Sequence, residues 1–350
     1  MTTSIVIVAV IAVAACMVMS MPVFGRNPRG ARLERVKQSP YYKDGQFQNE
    51  EPTVMMTGSS MWTSTIDWVT GRKKSKRCVP EAGEVPVVKS DQKHLSLDKD
   101  QYVWFGHSSF LLVLSGKIIL VDPVLCQFSP VASFGKPFPG TDIYHPEDMP
   151  DRIDYLLISH DHYDHLDYHT VKALRERVRK VICPLGVGEN FEHWGYNPEQ
   201  IIELDWTDVY RDEIAFNCLP TRHFSGRGIK RNTTQHASWV IETSHRTVFY
   251  SGDSGFSKHY ERIGKQFPDI DLAIMENGQY DEQWCQIHTM PSELGKEVSL
   301  LNPKRFLTVH HSKVALANHA WDEPRANEQK AAKESGIPLI VCKIGEVVEL

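Results

Sequence analysis

Residues 159–167 read Ser159-His160-Asp161-His162-Tyr163-Asp164-His165-Leu166-Asp167, a string with the pattern H-x-H-x-D-H. His160 and His162 stand two apart, so on an extended loop their imidazoles project to one side, toward one ion. Asp164 and His165 follow where the chain turns toward a helix, and from there they face a second ion beside the first. Imidazole suits zinc, and a carboxylate adds the charge that helps to hold a second divalent ion. Before the string, Asp154-Tyr155-Leu156-Leu157-Ile158 is an apolar run suited to a buried strand. After it, Asp167 is placed to cap a helix that carries Val171, Leu174 and Val178 on one face. Strand, polar loop and helix is the expected local geometry.

Four ligands do not fill two coordination shells, so later loops must supply the rest. His223 follows the run EIAFNCLP, Asp253 follows TVFY and His310 follows RFLTV, each where an apolar stretch meets a polar loop. Short β-rich runs recur through YVWF, FLLVL, KIILV, KVICP, HASWVIET and DLAIMEN, with helices expected over 291–301 and 323–335. Strands outnumber helices, and no repeat of fixed period is present. This is an α+β pattern, with two sheets packed face to face and helices outside.

The residues quoted so far, with Trp104-Phe105-Gly106-His107-Ser108-Ser109, Asp122-Pro123, Gly252-Asp253-Ser254 and Val309-His310 continuing into Ala315-Leu316-Ala317-Asn318, resemble the metallo-β-lactamase superfamily. Within it they are most similar to N-acylphosphatidylethanolamine-hydrolysing phospholipase D and its bacterial relatives, over roughly residues 95–335. The resemblance implies an αββα sandwich and two Zn2+ per chain. His160, His162 and His223 would hold one zinc, Asp164, His165 and His310 the other, with Asp253 bridging. Asp164 and Asp253 are then the candidate catalytic carboxylates. His288 and His319 become candidates for contact with substrate, while Asp122, His107 and Asp167 become candidates for fixing the ligand histidines through their second ring nitrogen. Two departures from the family's pattern are His311, where the phospholipases have a tryptophan, and the loop Phe224-Ser225-Gly226-Arg227-Gly228.

The implied activity is hydrolysis of N-acylphosphatidylethanolamine-type phospholipids to N-acylethanolamine and phosphatidic acid, by attack of metal-bound hydroxide on phosphorus. The expected partners are a phospholipid substrate and a membrane, and a homodimer is compatible with the resemblance. A lactonase, or another hydrolase of small phosphorylated substrates, is the alternative within the superfamily. A non-catalytic anchored envelope protein is the alternative outside it.

The rest of the chain bears on location. Ser4 to Phe24 is 21 residues without a charged side chain, long enough as a helix to cross a hydrocarbon core of about 30 Å. A cleaved signal or a lipoprotein signal ending at Cys16 competes with an anchor, but no Lys or Arg precedes the run. Residues 1–25 are therefore read as a membrane-anchor helix, 26–95 as a basic collar with a linker or lid, and 96–350 as the catalytic domain. In the collar Arg26, Arg29, Arg32, Arg35 and Lys37 oppose one acid, Glu34, so the net −5 of the 350 residues splits into +4 here and −9 beyond. That collar is expected at anionic headgroups, with the catalytic domain on the cytoplasmic side. An acidic domain lacks the basic footprint of a nucleic-acid binder, so no nucleic-acid partner is expected. Seven scattered cysteines without a CxxC pair point to free thiols, none of them a nucleophile.

Overall fold

A computed structural model describes residues 17–57, 77–131 and 134–350. A helix α1 (Gly30–Gln38) and a two-strand hairpin, β1 (Tyr42–Lys43) with β2 (Gln46–Phe47), precede the domain. The first sheet takes β3 (Gln101–Trp104), β4 (Phe110–Leu114), β5 (Lys117–Val121), β6 (Ile153–Leu157), β7 (Val178–Pro184) and β8 (Ile201–Leu204) in sequential order. The second takes β9 (Val209–Arg211), β10 (Ala215–Leu219), β11 (Ser238–Glu242), β12 (Thr247–Tyr250), β13 (Leu272–Glu276) and β14 (Phe306–Val309), again in order. The last strand, β15 (Val347–Glu349), returns to the free edge of the first sheet beside β3.

Strands β4, β6, β10 and β13 are buried at every position, because the other sheet covers one face and helices or loops the other. Between the sheets Phe110 meets Tyr250 edge-on at 5.1 Å, and Tyr155 meets Phe216 at 4.9 Å. Truncating a ring such as Phe110 to alanine there costs about 3–5 kcal/mol. Outside the first sheet lies α2 (Tyr168–Leu174), followed in sequence by α3 (Gly188–His193). Outside the second sheet α4 (His259–Gln266), α5 (Leu294–Leu301) and α6 (Glu323–Ser335) bury Ile263, Val298, Leu301 and Ala331 against Val240, Phe249, Ala273 and Met275. The expected αββα sandwich is the observed one.

Local differences have physical reasons. The helix expected to include Val178 ends at Leu174, passes through a 3-10 turn, and Val178 opens β7. Val178 is a β-branched residue at the head of VRKVICP, and its pairing with Ile153 outweighs the helical spacing. The helix expected from 291 starts at Leu294. Cys126, Cys183, Cys218, Cys285 and Cys342 are free thiols.

The N-terminal expectation needs the larger correction. Residues 4–16 of the apolar run lie outside the described residues, as do residues 58–76 of the linker. A helix reaching Phe24 is not present: helix ends at Met19, and Pro22–Phe24 form a 3-10 turn. That turn lies on the domain, where the Trp194 indole donates to the Pro22 carbonyl at 2.9 Å and Val23 is buried. Among the described residues no helix is long and apolar enough to cross a membrane. The collar likewise turns inward: Arg32 contacts Glu203 at 2.9 Å, Glu189 at 3.0 Å and Glu192 at 2.9 Å, flanked by Arg29 on Glu189 and Arg35 on Glu203. Glu189 and Glu203 are almost wholly buried, so these arginines satisfy carboxylates of the domain.

Candidate metal centre

Parallel pairing brings the site together. β5, β6 and β7 run parallel in one sheet, and β12, β13 and β14 run parallel in the other, so each group delivers its carboxyl ends to one edge. Asp122 follows β5, residues 158–167 follow β6, Asp253 follows β12, Glu276 ends β13, and His310 follows β14. His223 enters from the loop after β10, and His107 from the turn between β3 and β4. Two of these loops are zipped together across the edge: the His310 amide donates to the His107 carbonyl, and the His107 amide to the His311 carbonyl, both at 2.9 Å. His107, Asp122 and His310 all hold positive φ, at 52°, 40° and 71°. For residues with a Cβ this costs on the order of 1–3 kcal/mol each, a cost that the surrounding structure must carry to aim these side chains.

Within the edge the expected ligands fall into two groups. His160 Nε2 and His223 Nε2 approach His162 Nδ1 at 2.9 and 3.2 Å. On the other side His165 Nε2 and His310 Nδ1 approach Asp253 Oδ1 at 3.1 and 3.2 Å, and Asp164 Oδ2 is 3.8 Å from His165 Nε2. Asp253 stands between them, its other oxygen 3.9 Å from His160 Nε2 and 3.7 Å from His223 Nε2. A tetrahedral ion with bonds of about 2.0 Å sets its ligand atoms about 3.3 Å apart. The observed spacing fits two such positions sharing Asp253.

Electrostatics supports the same fit. Burial holds His160, His162, His223 and His310 well below the ordinary imidazole range, keeping them in the neutral form that ligates. Asp164 is held well below the carboxylate range, since His165 and His107 outweigh its burial. Burial raises Asp253 to about 6 against the pull of His165. His165 alone is pushed up, because Asp253, Asp164 and Asp122 outweigh its desolvation. A proton thus sits where the carboxylates call for a cation. His165 Nε2 and Asp253 Oδ1 are buried 3.1 Å apart without a well-aligned hydrogen bond to any group, a costly state that an ion between them relieves.

The supporting residues divide. Asp122 Oδ2 lies 2.8 Å from His165 Nδ1 and accepts from Tyr250 at 2.7 Å and Ser159 at 2.5 Å. His107 Nε2 is 3.0 Å from Asp164 Oδ2. Asp167, in contrast, contacts no ligand histidine. Its carboxylate caps α2 through His169 and Thr170 and accepts the amides of Cys126 and Gln127. His288 lines the cavity over the centre and stacks on His310 at 5.5 Å. His319 does not line it: it accepts the Gln279 amide, stacks on Tyr280 and faces a separate cleft. His311 points away, edge-on to Trp104 at 4.9 Å, so the departure there lies outside the centre.

Three residues escaped the sequence reading. Glu276 is fully buried, hydrogen-bonds His288 Nδ1 and accepts the Ser254 amide at 2.6 Å. An acid at the carboxyl end of an apolar run is the signal that Asp253 also carries. Asp161, inside the motif, accepts Gly226 and Thr234 instead of facing the ions. Arg231, three residues beyond the Phe224–Gly228 loop, reaches the cavity.

Above the centre lies a cavity of about 320 Å³. Its floor is His162, Asp164, His223, Asp253, His288 and His310; its walls are Met55, Met56, Phe224, Trp284, Ile287 and Leu316, with Arg231 and Gln279 as further polar groups. The strap that carries Met55 and Met56 is tied down by Arg222, which donates to Thr53 Oγ1 and the Pro52 carbonyl, and by Asn49, which bonds both backbone groups of His223.

Comparison with known proteins agrees with this fold. The family model described as the beta-lactamase superfamily domain matches residues 117–311. An uncharacterized protein of Mycobacterium tuberculosis is 34% identical over 328 residues, covering 89% of this chain and 85% of that protein. N-acyl-phosphatidylethanolamine-hydrolyzing phospholipase D 1 of Caenorhabditis elegans is 28% identical, over 59% of this chain and 62% of its own length. Among solved structures, a possible metal-dependent hydrolase from Veillonella parvula superposes with a TM-score of 0.56 at 15% identity, over 72% of this chain and all of that one, which is a likeness of fold.

Proposed function

The chain belongs to the metallo-β-lactamase superfamily and is a metal-dependent hydrolase, and from that premise we propose that it is a dinuclear zinc phosphodiesterase acting on N-acylphosphatidylethanolamine-type phospholipids. The observation that carries the substrate class is the cavity: six apolar side chains wall a metal floor, with Arg231 at hand for an anion. A diacyl phosphodiester has that distribution of polarity, whereas a sugar-phosphate lactone has few apolar groups to bury. The similarity to the nematode phospholipase supports the same class.

In this reading His160, His162 and His223 hold one ion, Asp164, His165 and His310 the other, and Asp253 lies between. A bound pair of zinc ions supplies Lewis acidity toward a phosphoryl oxygen and lowers the pKa of water toward 7. The chain's own residues do the remainder. Asp122 and His107 fix the orientation of His165 and Asp164. Asp164, the most exposed carboxylate of the floor, orients water on the open side. His288, held by Glu276 through Nδ1, presents its other nitrogen to the cavity and contacts the phosphate or the leaving group. Met55, Met56 and Trp284 exclude bulk water and hold acyl chain.

The test is a paired assay on zinc-loaded full-length protein, with N-acylphosphatidylethanolamine in mixed micelles against a panel of lactones. Lipid cleavage to phosphatidic acid without lactone opening is expected. Lactone opening without lipid cleavage overturns the assignment.

A further inference from the structure

Arg227 is a buried cation with no carboxylate within ion-pair distance among the described residues, which is an expensive arrangement unless its hydrogen bonds matter. Its guanidinium is used on backbone carbonyls. Nη1 donates to Asp161 at 3.0 Å and to Leu166 at 2.6 Å, the residues that bracket the ligand cluster His162 to His165. Nη2 donates at 2.8 Å to the Val23 carbonyl, in the 3-10 turn that ends the N-terminal apolar run. The guanidinium lies 4.2 Å from the ring centre of Tyr163 and 5.3 Å from that of Trp194. The same two rings hold the N-terminal turn: Trp194 donates to the Pro22 carbonyl, and Tyr163 meets Phe24 edge-on at 6.3 Å. Tyr163 closes the circuit by donating to the Arg227 carbonyl at 2.5 Å. One planar fork therefore spans the motif loop and the chain's N-terminal segment, a geometry that a lysine ammonium does not reproduce.

We infer that Arg227 is a positioning residue that couples the docking of residues 22–25 to the geometry of the metal-binding loop, so that the N-terminal segment sets how tightly the centre holds its ions. Gly25 offers a way to disturb the dock from outside the site. It has φ +66°, and a Cβ there would overlap Asn190 Oδ1 and come within 2.9 Å of Arg227 Cδ. Release of the N-terminal turn removes one of the three carbonyl acceptors of the Arg227 guanidinium and takes Pro22 and Phe24 away from Trp194 and Tyr163, the two rings that flank it, so the loop is then held less firmly.

The experiment uses the full chain and two readouts. Amide hydrogen exchange of the peptide spanning 158–167, measured in chelator-treated protein, reports the loop without any ion. Competition with a zinc chelator reports affinity; this second readout alone rests on the metal reading proposed above. Gly25→Val is expected to speed exchange in that peptide about tenfold and to weaken zinc about tenfold, while the β13 peptide keeps its protection. Arg227→Met is expected to do the same, and the double variant to be no worse than Arg227→Met, since both break one link. Wild-type exchange in Gly25→Val, or losses that multiply in the double variant, overturns the coupling. If Arg227→Met does not fold, Gly25→Val and Arg227→Lys decide it by the same comparison. Protein that takes up no zinc but shows the exchange pattern overturns the metal reading and keeps the coupling.

Discussion

Asp122 Oδ2 lies 2.8 Å from His165 Nδ1, and this contact leaves Nε2 of His165 as the ring atom that faces Asp253. The carboxylate is wholly buried and shared with Ser159 and Tyr250, so it fixes the ring plane and the tautomer together. Asp122→Asn keeps the shape and loses the charge. Zinc affinity, read by chelator competition, should fall about 10–100-fold with the fold intact by circular dichroism. Unchanged affinity would remove Asp122 from the site's support.

Arg32 is the centre of the N-terminal clamp. Its removal leaves Glu203, 3% exposed, with the more distant Arg35 and the Gly186 and Gly188 amides, and Glu189, 4% exposed, with the more exposed Arg29 and the more distant Arg26. Breaking a buried pair costs about 3–5 kcal/mol, and the remaining partners bring the expected loss for Arg32→Ala to about 2–3 kcal/mol in urea unfolding. A collar that only faced headgroups would show no loss.

Burial lowers Lys313 to about 8, with Asp142 3.6 Å away opposing that fall, and its ammonium donates to the Thr141 carbonyl at 2.6 Å. The unfolded chain titrates this group near 10.4, so between about 8 and 10.4 the unfolded state binds more protons and stability rises with pH. From pH 7.5 to 9.5 the wild type should gain about 2 kcal/mol over Lys313→Met. Parallel stability curves for the two proteins would contradict this.

Arg231 lies at the rim, donates to the Gly226 carbonyl and is otherwise exposed. If it holds the substrate's phosphate in ground and transition state alike, Arg231→Met raises KM about tenfold and leaves kcat within about twofold. A fall in kcat at constant KM would place it in the transition state instead.

Much of the site was legible because ligation chemistry is local in sequence. Four of the candidate ligands sit within six residues, and the candidates His223, Asp253 and His310 each stand where an apolar run stops, which is where parallel strands deliver side chains to one edge. The sandwich followed from the same runs. What escaped depends on tertiary context. Glu276 has no motif around it, and its role appears only once β13 lies beside β12. His319 and Asp167 are chemically suited to the roles expected of them, but the chain turns them toward Gln279 and toward α2. The collar misled because a run of arginines carries no sign of its partners, and Glu189 and Glu203 are more than 150 residues away in sequence.

In the proposed function the floor residues would hold two zinc ions whose chemistry would serve to break a phosphorus–oxygen bond of an amphiphilic diester. Hydrolysis of N-acylphosphatidylethanolamine in 18O-labelled water, followed by mass spectrometry of both products, tests it most directly. One 18O atom in phosphatidic acid and none in the N-acylethanolamine is the predicted result. Label in the N-acylethanolamine, or no turnover by zinc-loaded protein, would contradict it.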